Sequence, residues 1–193
     1  MGVYAMNLEL LPDSASSHGF QEGVANAWES LMATGRCNER SLRTTILSSW
    51  RRCMQSATPH RQARQMPIVD SQVLTAAQGR SEALRVAAKQ VMAPLLVSLN
   101  TARNVVLVTD AQGVILDCYG TRRNLDFAAD LNLRSGGNCN ELAGGTNAIG
   151  TALAAGRPMQ VHADEHFYEY VKSWTCAAAL VHDPIDRQAI GVL

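Results

Sequence analysis

Asn104-Val-Val-Leu-Val-Thr-Asp110, Ala111-Gln-Gly113 and Val114-Ile-Leu-Asp-Cys-Tyr119 decide the fold class of this chain. Two runs rich in aliphatic residues flank a short turn that ends in glycine, which is the pattern of a β-hairpin. A second hairpin is read at the C-terminal end, with strands Thr175 to His182 and Ala189 to Leu193 joined by Asp183-Pro-Ile-Asp-Arg-Gln188. Between the hairpins lie a short helix near Leu125 to Leu131 and a glycine-rich loop from Arg134 to Gly145. Thr146 then stands where a hydroxyl can cap a helix bearing Ile149, Ala152 and Leu153, and Gly156 ends it. A strand from Met159 to Val161 precedes a helix over Glu165 to Trp174. Hairpins separated by helices, without regular strand–helix alternation, predict an α+β fold: an antiparallel sheet flanked by helices.

Upstream of the hairpin the spacing is helical. Residues 1–20 are serine-rich without period and are expected to be loose. Val24, Ala27, Trp28, Leu31 and Met32 mark a helix over Gln21 to Met32, and Leu42, Ile46, Trp50, Cys53, Met54 and Ala57 one over Ser41 to Ala57. Pro59 to Pro67 reads as a polar connector. Residues 21–70 thus form a helical segment ahead of a main domain over 71–193. Leu84, Ala87, Ala88, Val91, Leu95 and Leu99 form the stripe of a long helix that Pro94 is expected to kink. That stripe either packs on the sheet or pairs with a second copy of the chain. The last strand stops mid-run at Leu193, so the chain is expected to be a C-terminally truncated fragment.

The 193 residues are 47% hydrophobic and 18% charged, a folded composition, and 17 basic residues balance 17 acidic ones. No global field draws the chain to nucleic acid or to a membrane. Arg36, Arg40, Arg43, Arg51, Arg52, Arg61 and Arg64 cluster against Glu39 alone. With only Trp50 interleaved, they read as a solvated helix face that pairs with acids elsewhere, in preference to a phosphate-binding face. The five scattered cysteines form no C-x-x-C pair, no apolar run nears the ~18 residues of a membrane span, and no secretory start is present. The expected location is the cytoplasm.

Three motifs suggest chemistry and fall short of it. His162-Ala-Asp-Glu-His166 has the spacing of an inverted zinc-peptidase site, but His162 abuts a strand and no suitable third ligand follows. Gly145-Thr-Asn-Ala-Ile-Gly150-Thr151 has P-loop glycine spacing with threonine where the lysine must stand. Cys139 and Cys176, with His162, His166 and His182 as possible bases, are read first as structural. No catalytic set, metal site or cofactor is expected.

The blocks Gly145-Thr-Asn-Ala-Ile-Gly-Thr-Ala-Leu153, Glu165-His-Phe167, Trp174-Thr-Cys-Ala-Ala-Ala179, His182-Asp-Pro184 and Ile190-Gly-Val-Leu193 resemble the GAF domain of AcoR/DhaR-type sigma-54-dependent transcription activators. Ile46-Leu-Ser-Ser-Trp50-Arg-Arg52-Cys53 is similar to the segment that precedes that domain in these regulators. The resemblance implies an N-terminal sensory domain followed by an AAA+ ATPase, which remodels sigma-54 RNA polymerase, and a DNA-binding helix-turn-helix. The latter two lie outside this chain. It also implies a ketone, hydroxyketone, diol or alcohol as inducer, or a protein partner. A homodimer is expected from the residues themselves, because the Leu84 to Leu99 stripe and the Trp50 helix offer more apolar surface than one small sheet face needs. Asn138-Cys-Asn-Glu141 stands where relatives often carry a Trp-x-Glu-like segment. Ala179-Leu-Val181 replaces the Ala-Pro-Ile of many. The inducer therefore does not transfer.

In such a domain a sheet face covered by a loop and short helices leaves a mainly apolar cavity of small-ligand size. Val106 or Val108, Ile149, Phe167, Trp174 and Cys176 are the candidate walls. Asn140, Glu141, Thr146 and His166 are the candidate hydrogen-bonding groups, beside the N-terminal amides of the helix after Thr146. Plain core packing is the competing reading for Ile149, Phe167 and Trp174, and a structural role for His166. Two other functions stay open: a thiol enzyme of the free-methionine sulfoxide reductase kind, and a Cys/His redox or metal sensor.

Overall fold

The hairpin forms where the sequence places it: β1 (Val105–Asp110) and β2 (Ile115–Gly120) run antiparallel, with Val106 opposite Tyr119 and Leu107 opposite Cys118. The Asp110 carboxylate accepts from the amides of Gln112 and Val114 and so ties the turn. Gly113 takes φ +85°, and a Cβ there would lie 2.9 Å from the Asn140 amide nitrogen. Position 113 thus requires glycine twice over, for its left-handed backbone and for the loop packed on it. The structure, a computed structural model, describes residues 14–55, 63–99 and 104–193. Ala57, residues 59–62 of the polar connector and the first thirteen residues of the expected loose N-terminus lie outside the described residues.

The main sheet has the order β2-β1-β6-β5, so β6 (Ala189–Val192) lies between β1 and β5 (Leu180–His182). The run from Thr175 to His182, expected as one strand, is divided. Its first part, β4 (Thr175–Ala178), pairs with β3 (Met159–His162) in a two-stranded sheet. Ala179, at the division, exchanges both backbone hydrogen bonds with Leu193. The architecture is the expected α+β arrangement of an antiparallel sheet with helices.

One sheet face is covered by α3 (Ser71–Arg80), which the sequence reading missed, and α4 (Glu82–Leu99). The Asp70 side chain caps α3 by accepting from the Gln72 amide. On this side Leu84 and Ala88 pack with Ala77, Val108 and Leu116. The expected stripe of α4 splits. Leu84, Ala88 and Met92 are buried along one i, i+4 ridge, while Ala87, Val91 and Leu95 face solvent. The helix runs through Pro94 as one element.

The N-terminal helices are not an appendage. Val24, Ala27, Trp28 and Leu31 of α1 (Ser14–Thr34) and Ile46, Trp50 and Cys53 of α2 (Thr44–Cys53) share one core with β3, Phe167, Tyr168 and α7 (Ala148–Ala155). Trp28 and Trp50 are both fully buried there, and burying rings of that size supplies several kcal/mol (about 25 cal/mol per Å2). Helix α1 starts at Ser14, inside the stretch expected to be loose. Helix α2 is shorter than the 41–57 expected, because Glu39–Ser41 makes a separate 3-10 turn capped by Asn38.

Two local readings are corrected. Asn147, not Thr146, caps α7: its carbonyl oxygen accepts from the Gly150 amide and its NH2 donates to the carbonyls of Cys139 and Gly145. The expected helix over Glu165 to Trp174 is two 3-10 turns, Ala163–Glu165 and Glu169–Val171. Phe167 and Tyr168 are adjacent and both buried, and a helix with one buried face does not bury consecutive residues so readily. On the same side of the sheet lie α5 (Arg122–Ala129) and the one-turn α6 (Glu141–Gly144). No helix among the described residues is long and apolar enough to cross a membrane.

Candidate functional site

A cavity of about 320 Å3 opens beside β1 and is closed by α7, β4 and the 3-10 segment before it. Val105, Val106 and Leu107 form one wall, and Ile149 with Cys139 a second. Val171, Trp174 and Cys176 face them, with Met66, Leu133 and Leu193 also lining the space. Among the described residues that line it there is no Lys, Arg, Asp or Glu. The space suits a small neutral molecule.

The structure brings Val106, Ile149, His166, Trp174 and Cys176 of the sequence candidates to this cavity. It places the others elsewhere. Val108 does not line the cavity and packs against Leu84 and Ala88. Asn140 caps α6 by accepting from the Leu142 amide. Phe167 belongs to the Trp28–Trp50 core. Glu141 and Thr146 point to α2. Sequence reading missed Met66, Leu133, Cys139 and Leu193 as walls. Met66 is 2% exposed, yet it lies inside the stretch read as a polar connector, where no periodicity marks it.

Glu141 and Thr146 belong to a buried polar junction. Arg52 reaches Glu141 with two nitrogens, Nε at 2.6 Å and Nη2 at 3.0 Å, and the Ser49 hydroxyl also donates to it. Ser49 Oγ lies 2.7 Å from Thr146 Oγ1. A parallel contact joins Arg43 to Glu165, which is fully buried, and to the Gln160 carbonyl. Trp50 Nε1 donates to the Glu165 carbonyl at 2.7 Å, and Trp28 Nε1 to that of Phe167 at 3.0 Å. Helices α1 and α2 therefore grip both loops that shape the cavity. With Arg51 paired to Glu39, three arginines of the Arg-rich stretch are satisfied by acids. The His162–His166 motif is no zinc helix: His162 ends β3, and Glu165 is held by Arg43 and by the His162 amide.

Inside the cavity the chemistry differs. His166 is fully buried, and its Nδ1 lies 3.0 Å from the Ala163 carbonyl oxygen. A carbonyl only accepts, so Nδ1 carries the proton and Nε2 keeps its lone pair. Burial pushes the pKa of His166 down to about 4, with the nearby His162 and Lys172 adding to the shift, so the ring is neutral at pH 7. Trp174 stacks on Phe127 at 5.5 Å between ring centroids. Burial pushes the Cys176 thiol up to about 11 and raises that of Cys139 further. Thiols held protonated are poor nucleophiles, which weighs against thiol catalysis here. Among the described residues, no group of three or more His, Cys, Asp or Glu is arranged to hold a metal ion.

Comparison with known proteins places this geometry. The chain is 29% identical over 166 residues to the acetoin dehydrogenase operon transcriptional activator AcoR of Bacillus subtilis, covering 86% of this chain and 27% of that protein. It is 33% identical over 139 residues to the acetoin catabolism regulatory protein of Cupriavidus necator, covering 72% of this chain and 21% of the relative. The propane 2-monooxygenase operon transcriptional activator MimR of Mycolicibacterium smegmatis is 27% identical over 168 residues, covering 86% of this chain and 28% of its own length. The chain thus spans between about a fifth and little more than a quarter of the length of these three curated relatives. Its fold is similar to that of the N-terminal domain of E. coli DhaR, solved in complex with DhaL. That match has a TM-score of 0.72 and 19% identity, and covers 78% of this chain and 50% of the other. Residues 22–193, from the first core helix to the last strand, match the family described as MimR, N-terminal domain, and the chain belongs to that family.

Proposed function

We propose that this chain is the sensory input region of a sigma-54-dependent transcription activator, and that it binds a small, neutral, oxygenated metabolite in the cavity beside β1. Control then passes to an ATPase and a DNA-binding domain outside these residues. The observation that carries the reading is the cavity itself: a mostly apolar space, with no charged residue among the described ones that line it, inside a domain whose relatives are operon activators. A ligand signals only by favouring one arrangement of the domain over another. Ketones, hydroxyketones, diols and alcohols are the inducer class. A homodimer through the solvent-facing Val86, Val91 and Leu95 of α4 is part of the same proposal.

A thermal-shift screen of those four classes tests the reading. Binding to the folded state adds about 2.7 kcal/mol at a hundredfold excess over Kd, so a binder raises the melting temperature. No shift with any compound, on folded protein, would replace it with a second reading, recognition of a protein partner. The solved complex of the DhaR N-terminal region with DhaL favours that alternative.

A further inference from the structure

Four buried side-chain polar atoms have no hydrogen-bond partner among the described residues: Gln21 Oε1, His162 Nε2, His166 Nε2 and Trp174 Nε1. The last two belong to side chains that line the cavity. Leaving such atoms unpaired costs about 1–3 kcal/mol each, and most buried polar groups avoid it. The two are also chemically opposite. An indole N–H only donates, whereas His166 Nε2, with the proton fixed on Nδ1 by the Ala163 carbonyl, only accepts. The other polar side chain of the inner wall, Asn147, spends its amide on Cys139, Gly145 and Gly150.

We infer that His166 and Trp174 are the specificity-determining residues of the cavity: His166 Nε2 accepts from a ligand hydroxyl, and the Trp174 indole N–H donates to a ligand oxygen. The inference rests on the proposed function and adds a donor–acceptor code to it. A neutral molecule with one hydroxyl and a second oxygen satisfies both atoms. A simple ketone leaves the histidine unpaired, and a carboxylate finds no counter-charge among the described residues that line the cavity. Phe127 backs the indole by stacking on it and so fixes its orientation. Both residues recognise; neither takes part in any reaction.

Calorimetric titration of the 193-residue chain with two near-isosteric probes tests the code. The probes are 3-hydroxybutan-2-one and 3-methylbutan-2-one, in which a methyl group replaces the hydroxyl. The wild type is expected to prefer the hydroxyketone by about tenfold or more, because the methyl leaves a buried acceptor unpaired. His166→Phe should reverse the preference, since the methyl compound then has the more favourable transfer to an apolar site. Trp174→Phe should weaken both probes by a similar factor and keep their ratio. Equal binding of the two probes by the wild type, or a preference that survives His166→Phe, overturns the inference and leaves the sensory reading standing. Binding of neither probe, nor of any compound in the wider screen, overturns the sensory reading itself. Should His166→Phe fail to fold, 15N spectra of the histidine-labelled wild type decide. The Nε2 resonance should move with the hydroxyketone and stay with the methyl ketone; no movement with either overturns the assignment.

Discussion

Glu141 and His166 are both buried polar residues in the loops above β1, and the molecule treats them in opposite ways. Glu141 is saturated: two nitrogens of Arg52 and the Ser49 hydroxyl reach it. His166 has one nitrogen tied to the Ala163 carbonyl and the other without a partner. Where α2 meets the loops, every acid has its base, and the polar groups hold one arrangement of the chain. Where the loops meet the sheet, polar groups are few and unspent. The contrast separates a junction that gives stability from a cavity proposed to give recognition, although the same loops build both.

Removing a base from the junction should have the largest effect. Arg43→Met leaves the fully buried Glu165 without its counter-charge, and such a break costs about 3–5 kcal/mol. The urea midpoint should fall accordingly at an unchanged slope. A loss below about 1 kcal/mol, the range of exposed pairs, would mean that solvent already screens the pair.

Acid probes the other region. The pKa of His166 is lowered from 6.5 to about 4 in the folded chain. As pH falls, the unfolded chain takes up this proton first, so its contribution is complete above about pH 7. The contribution declines through the window from 6.5 to 4, by roughly 3 kcal/mol in all. His162, whose pKa burial also lowers, acts in the same direction. Urea unfolding at pH 7, 5.5 and 4 should show this decline, and a flatter one in His166→Gln. Identical slopes would assign the acid sensitivity to other groups.

Thr146→Val sharpens the boundary between the regions. The hydroxyl contacts Ser49 and does not line the cavity, so stability should fall by about 1–2 kcal/mol with ligand affinity unchanged. An affinity loss beyond the stability loss would return Thr146 to the binding site. The smallest effect is expected at Val91, which is 61% exposed. Val91→Asp should leave stability within about 0.5 kcal/mol, while sedimentation at high concentration shows a weakened dimer if α4 is the shared face. A destabilised monomer would instead make that face part of the core.

Much of the fold was legible because it follows from local rules. The Asn104–Tyr119 hairpin, the helix that ends at Gly156 and the Trp28 and Trp50 helices rest on periodicities of two or 3.6 and on turn residues. The failures are equally physical. Helix α3 has a weak apolar pattern, with Ala77 its one buried residue. The Glu165–Trp174 segment carries helix-like spacing, but two adjacent aromatics must both be buried.

The site divides along the same line. The amino-acid order by itself determined an α+β domain, an N-terminal helical segment with two buried tryptophans, and a glycine-rich loop beside a capped helix as the place to look. Which polar residues of that loop system line the cavity was decided only by the tertiary structure. Glu141, Thr146 and His166 are alike in sequence terms, each a polar residue near the same helix. Their roles depend on what lies opposite in space, 89 residues away for the Arg52–Glu141 pair. Hydrogen-bond saturation is a property of such long-range pairings, and local sequence pattern carries no record of it.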